Sequence, residues 1–357
     1  MWRAAAARLL CCLALSSPAL GAGLGDCAAS PGRSPATAGL QVDNGVFGRQ
    51  DQGYSSGIQL FFTSAAFREE PDVVTGDCHW PATGWLASRL RFLKPQGSQQ
   101  QKLTASLTHV IYTPTNRESR DPVRNDRPYA AAFLLGLGYN ARVDERLQTT
   151  VLQLGMVGPS ARGEQAQNAI HTVIGDRPFR GWRNQIGDKF VFGVVHERSR
   201  RYLPGTGYQP GEWRWDGISH WGASVGNLTT YLNIGGELRF GLRLPDDFGS
   251  APERPAGMHS AYVGSTDVLN PDPVHGGIVG HGFVSVDMRR MFRDLSLDGT
   301  SKSHGVSRRP VVGDLGYGIA LTQGPWKIVF ARFHRSREFE GQQTLPVFGS
   351  ISISRTF

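Results

Sequence analysis

The sequence predicts an all-β fold, a transmembrane antiparallel β-barrel carrying one short helix near its candidate active site. Three observations predict it. Apolar and polar residues alternate strictly over several segments, charges sit on the polar faces of those segments, and the chain closes on an alternating run that ends in Phe357. Strict alternation is the period of a strand with one apolar and one polar face. A soluble sandwich hides its apolar faces against each other, whereas a membrane barrel turns them to lipid and keeps a polar lumen. Charges on the polar faces suit a lumen. Aromatic residues near strand ends (Trp80, Trp85, Trp326, Phe357) suit the girdles at the membrane interfaces.

The elements follow in chain order. Residues 1–22 read as a secretory signal peptide: Arg3 and Arg8 give a basic start, residues 9–20 are largely apolar, and Ala19 and Gly21 are small residues spaced for cleavage. That run is interrupted by Ser16, Ser17 and Pro18 and is too short to cross about 30 Å of hydrocarbon. Residues 23–357 are expected to form one barrel domain. Strands are expected around 103–111, 238–244, 284–289, 315–321, 326–332 and 347–357, where Leu, Ile, Val and Phe recur at every second position. Residues 245–280, rich in Pro, Gly and Asp, read as a long loop. Residues 161–174 break the period-two pattern and read as a helix, with Ser160 as N-cap, Glu164 in the first turn and Gly175 as the stop.

Composition narrows the function classes. The 357 residues carry a formal charge of +8, which suits contact with anionic lipid or its phosphates. An exported chain with no recognised nucleic-acid motif is not expected to bind nucleic acid. Cys11 and Cys12 fall in the signal peptide, and Cys27 and Cys78 are left to form one disulfide, at a spacing that fits no metal motif.

Two clusters could carry chemistry. On the predicted helix Glu164, Gln167, Asn168 and His171 share one face, opposite Ala166, Ala169, Ile170 and Val173, and an amphipathic helix normally turns its polar face to water. Neutral histidine is the commonest general base near pH 7. The second cluster, Asp43-Asn44-Gly45 with Asp51 and Ser55, offers oxygen donors for a hard cation, although an ordinary Asx turn has the same composition. Asp126-Arg127 reads as a salt bridge at the barrel rim. H-E-x-x-H does not occur in the sequence.

Four blocks of the sequence resemble the outer-membrane lipid A 3′-O-deacylases. They are Val42-Asp43-Asn44 through Tyr54-Ser55-Ser56-Gly57, then Ile111-Tyr112-Thr113-Pro114 with Asp126-Arg127-Pro128-Tyr129-Ala130, then Gly155-Met156-Val157-Gly158-Pro159 through Gln167 and His171 to Gly175, and finally Gly181-Trp182-Arg183-Asn184-Gln185. They cover roughly 40–200 in the family's order, while the C-terminal half matches only in strand pattern and final Phe. The resemblance implies twelve strands, a monomer in the outer membrane, lipid A of lipopolysaccharide as substrate, and a divalent cation, calcium first. It implies His171 as the base that activates water, Gln167 as an orienting amide, Ser55 as a hydroxyl near the oxyanion, and Asn44 as an active-site amide. Asp43, Asn44 and Asp51 would be the metal donors. Two departures bear on that cation: Gly45 stands where the family commonly has Asp, and Arg177 where some relatives are acidic. The competing readings are a catalytically silent barrel (a pore or structural protein) and a secreted carbohydrate-binding β protein.

Overall fold

The computed structural model describes residues 35–45, 53–66, 89, 91–175, 177–203, 213–242, 244–250, 277–300 and 303–357. The signal-peptide segment, Cys27, Cys78, Asp51, Trp80 and Trp85 lie outside the described residues.

Twelve strands close into one antiparallel barrel. They are β1 (Thr37–Asn44), β2 (Gly53–Thr63), β3 (Gln100–Thr113), β4 (Ala130–Val143), β5 (Arg146–Val157), β6 (Lys189–Tyr202), β7 (Trp213–Gly226), β8 (Thr229–Leu242), β9 (Ile278–Asp294), β10 (Val311–Gln323), β11 (Trp326–Arg335) and β12 (Val347–Thr356). Each pairs with its neighbours in sequence, and β12 closes on β1 from Thr37 opposite Thr356 to Asn44 opposite Gly349. Closure leaves no strand edge unpaired, which a sheet in hydrocarbon requires. Among the described residues two α-helices interrupt the pattern, α1 (Gly163–Ile174) and α2 (Leu295–Asp298).

The two faces have the polarity of a membrane barrel. On β9 Val284, Val286 and Met288 are exposed while Ser285, Asp287 and Arg289 are buried. On β10 Leu315, Tyr317, Ile319 and Leu321 are exposed, and Asp314 and Ala320 are buried. A soluble sandwich would show the reverse.

At the end where β1 begins and β12 finishes, the lumen is packed with paired charges. Arg239, fully buried, binds Asp216 at 2.7 Å and Asp247. Asp247 also takes Lys327 at 2.7 Å, and Arg201 joins Asp216 at 2.7 Å to Asp246 at 3.2 Å. Asp246 and Asp247 belong to the segment after β8, the beginning of the predicted loop, and Phe248 anchors that segment against Leu147. Buried charges persist only when paired in this way. Burial alone would raise the Asp247 carboxyl, but Lys327 and Arg239 outweigh it and hold the group at about 2.

At the opposite end Arg127 does not form the expected side-chain pair with Asp126. Its guanidinium turns inward to Glu338 at 3.0 Å and Ser296 at 3.0 Å, over the ring of Tyr112. Asp126 instead accepts backbone N–H bonds from Thr115 at 2.6 Å and from Arg127 at 2.8 Å. A cavity of about 110 Å³ lies on the lumen side here, lined by Tyr112, Glu197, Tyr231, Arg289 and Glu338 among others.

Candidate active site

Of the candidate residues, Asn44, Ser55, Gln167 and His171 lie on the outer side of the wall. Residues directly opposed across antiparallel strands share a face. Asn44 stands opposite Ser56, Ser56 opposite Ile111, and Ile111 opposite Ala131, so one row crosses β1 to β4. Further along the same face Leu107 and Phe133 are exposed to the surroundings. Ile111 and Ala131 are nevertheless buried, because the segment between β5 and β6 folds down over them.

That segment carries α1. Glycine at its first position lets the helix meet the wall: a Cβ on Gly163 would lie 2.4 Å from the Ala131 Cβ and 2.7 Å from the Trp182 ring. Ser160 is not the N-cap. It sits in the preceding 3-10 turn Pro159–Ala161, where its N–H and hydroxyl bond Asp188 at 2.7 and 2.9 Å. Arg162, in the left-handed region at φ 54°, occupies the cap instead. Gly175 ends the helix at φ 73°, as the sequence indicates.

The helix turns only part of its polar stripe to water. Gly163, Gln167 and His171, four apart, are buried, while Glu164 and Ala169 are exposed. The reason is local chemistry: the loop after the helix offers polar partners. Trp182 Nε1 donates to Gln167 Oε1 at 2.9 Å, and the indole packs against Tyr129 with centroids 5.0 Å apart. This fixes the amide, since indole N–H can only donate. Gln167 Nε2 is left buried with no hydrogen-bond partner among the described residues. His171 Nδ1 lies 2.6 Å from the Arg177 carbonyl, and its ring meets Phe179 at 5.6 Å. A carbonyl can only accept, so Nδ1 carries a hydrogen, and Nε2 is the acceptor of the ring in its neutral form.

Ser55 reaches the same side through a bulge. The register of β2 shifts between Tyr54 and Ser56, and such a bulge re-aims a side chain. Tyr54 points to the lumen, where its hydroxyl donates to Asp43 at 2.8 Å. Ser55 Oγ instead lies 2.5 Å from Thr113 Oγ1.

Of the expected metal donors, Asp43 and Asn44 are not brought together. Asp43 faces the lumen and takes Gln41 Nε2 at 2.9 Å as well as Tyr54. Asn44, the next residue of the strand, faces outward, and Asp51 lies outside the described residues. Among the described residues no group of three or more His, Cys, Asp or Glu is placed to hold an ion. A hard dication takes about 6–8 oxygens. The described part of the crease offers the Asn44 amide and the Ser55, Ser56 and Thr113 hydroxyls but no carboxylate, and this set alone does not fit such an ion.

Sequence reasoning did not assign Thr113, Phe179 or the Arg177 carbonyl to the site. Trp182 falls in the fourth resembling block, so its presence was signalled, but not its bond to Gln167.

The model of the family described as outer membrane protein LpxR matches residues 9–357. The chain belongs to the LpxR family. Among solved structures, LpxR from Salmonella typhimurium matches with a TM-score of 0.69 at 17% identity, covering 90% of this chain and 100% of that one. At that identity the likeness is one of fold. The β domain of the Bordetella autotransporter BrkA gives a TM-score of only 0.40 at 11% identity, over 91% of this chain and 100% of that one. No curated protein matches the sequence. This LpxR-family chain is therefore an outer-membrane barrel, its exposed apolar face is the one that meets lipid, and α1 sits on that face.

Proposed function

We propose that the barrel hydrolyses an ester-linked acyl (acyloxyacyl) chain of lipid A in the outer membrane, with His171 as general base. The observation that carries this reading is that His171, its Nδ1 tied to the Arg177 carbonyl, and Gln167, whose Nε2 has no partner among the described residues, are both buried on α1, on the lipid-facing side of the wall. A lipid ester reaches such a crease without leaving the bilayer. His171 Nε2 takes a proton from water as the water oxygen bonds to the ester carbonyl carbon. The tetrahedral intermediate then breaks its bond to the alkoxy oxygen, which receives the proton back from the imidazolium. Gln167 Nε2 donates to the developing oxyanion, and the Ser55 hydroxyl and Asn44 amide line the same crease. Such a route needs no acyl-enzyme.

The test is mass spectrometry of lipid A from Gram-negative cells expressing the wild type or His171→Ala, with folding checked by heat-modifiable gel migration. The wild type should release one acyl or acyloxyacyl group, and the variant should be slower by about 10²–10⁴-fold. Unchanged lipid A beside a folded wild type would leave a catalytically silent barrel. A pore is the weaker alternative, because Arg239, Asp216 and Asp247 pack the lumen. The resemblance also implies a divalent cation with Asp51 among its donors; Asp43 lies behind the wall. Activity unaffected by chelator and by Asp51→Ala would remove the cation from the proposal.

A further inference from the structure

The segment that holds His171 also carries a row of arginines. Arg177, Arg180 and Arg183 stand three apart between α1 and β6, all exposed. The same segment fixes the base through the Arg177 carbonyl and the Phe179 ring. The loop between β3 and β4 clamps it from the other side. Arg180 N–H donates to the Arg117 carbonyl at 3.0 Å, the Arg117 guanidinium lies 5.6 Å above the Phe179 ring, and Arg183 Nε donates to the Arg120 carbonyl at 3.0 Å. Gly181 allows this approach: a Cβ there would lie 2.5 Å from the Tyr129 ring and 2.9 Å from the Ser119 carbonyl oxygen.

Five arginines therefore crowd one rim, against the carboxylates of Glu118 and Asp121. Glu118 touches Arg177 at 3.7 Å and Arg180 at 3.5 Å, while Asp121 is engaged by Arg183 at 2.8 Å. The Glu118 contacts are long and exposed, and such pairs are weak. Guanidinium forks match phosphate oxygens better than a carboxylate held at this distance. The rim also stands at the right height. On the outer face below α1 the lipid-facing Leu107 and Phe133 begin the apolar belt, so the arginines sit where lipid headgroups lie.

We propose that Arg177 and Arg180 form a subsite for the phosphate of an anionic lipid headgroup, in which the phosphate takes the place of the Glu118 carboxylate. This deepens, and rests on, the reading of lipid A as substrate. One segment would then hold both the headgroup and the base that acts on the chain below it.

The experiment is binding by the purified barrel in detergent, at low and high salt. The probes are bis-phosphorylated lipid A, the same glycolipid with its phosphates removed, and inorganic phosphate as competitor. The wild type should prefer the phosphorylated form by about tenfold or more at low salt, as two charge-assisted contacts provide. The double variant R177Q/R180Q should lose that preference, and E118Q should increase it. Competition by inorganic phosphate would assign the subsite to phosphate itself. Persistent preference without competition would assign it to phosphate carried on a lipid. Equal binding of both glycolipids by the wild type, or an undiminished preference in R177Q/R180Q, overturns the subsite. Discrimination without any acyl release would sink the hydrolase reading and leave the subsite standing. Acyl release with binding and KM unchanged in R177Q/R180Q would do the opposite.

Discussion

A single hydrogen bond sets the character of the candidate site at the scale of residues. The Trp182 N–H can only donate, so it claims Gln167 Oε1 and leaves the amide nitrogen as the group available to a ligand. A buried donor without a partner is costly to keep, and a developing oxyanion would satisfy it. Two variants separate this role from packing. Gln167→Glu still accepts from Trp182 but, when ionised, donates nothing. Trp182→Phe keeps the ring and frees the amide to rotate. Removal of one oxyanion donor costs about 10²–10³ in kcat, so Gln167→Glu should fall in that range with little change in KM, and Trp182→Phe should fall less. A Gln167→Glu enzyme with wild-type kcat would show that the nitrogen does not donate to the reacting oxygen.

At the scale of elements the governing contact is the closeness of α1 to the wall. Gly163 to Ala widens it, because the Ala131 Cβ and the Trp182 ring already occupy the space. Gly163→Ala should leave the barrel folded, seen as unchanged heat-modifiable migration, and lower activity by tenfold or more, since misplacement by about 1 Å can cost 10²-fold. Adding Ala131→Gly should restore part of the loss, because it removes one of the two clashes. An unaffected Gly163→Ala enzyme would mean that the spacing of α1 is immaterial. This element also shows what the sequence could express. The alternation of β9 and β10, the Gly175 stop and the Gln167–His171 spacing are local patterns and were legible. The burial of Gln167 and His171 was not, because it depends on Trp182 arriving from a later loop and on which face of β3 and β4 lies beneath. Asp43 and Asn44 appeared as joint donors because they are adjacent in sequence, yet adjacency within a strand sends them to opposite sides of the wall.

At the scale of the molecule, the barrel separates two jobs by end and by face. The crease is on the lipid side at one end, and the charge cluster around Arg239 packs the lumen at the other. Asp247 joins Arg239 to Lys327, so it ties the segment after β8 to β11. Its carboxyl is depressed to about 2 from an ordinary value of 3.8. A carboxyl lowered on folding adds stability that is fully present above its unfolded value and is lost as pH falls through the folded one. The wild-type barrel should therefore keep its unfolding temperature from neutral pH to about 4 and lose it between about 4 and 2. Asp247→Asn leaves two buried cations short of a counter-charge, which is strongly destabilising. It should unfold at lower temperature at pH 7, and the gap to wild type should close as pH approaches 2. The measurement is the temperature at which the heat-modifiable band shifts, taken across pH for both proteins. Because the crease lies at the far end and on the other face, acyl release at neutral pH and at temperatures where Asp247→Asn remains folded should change little. Parallel pH curves would show that this carboxylate does not carry the acid sensitivity of the barrel, and a matching loss of acyl release would show that the two ends are coupled.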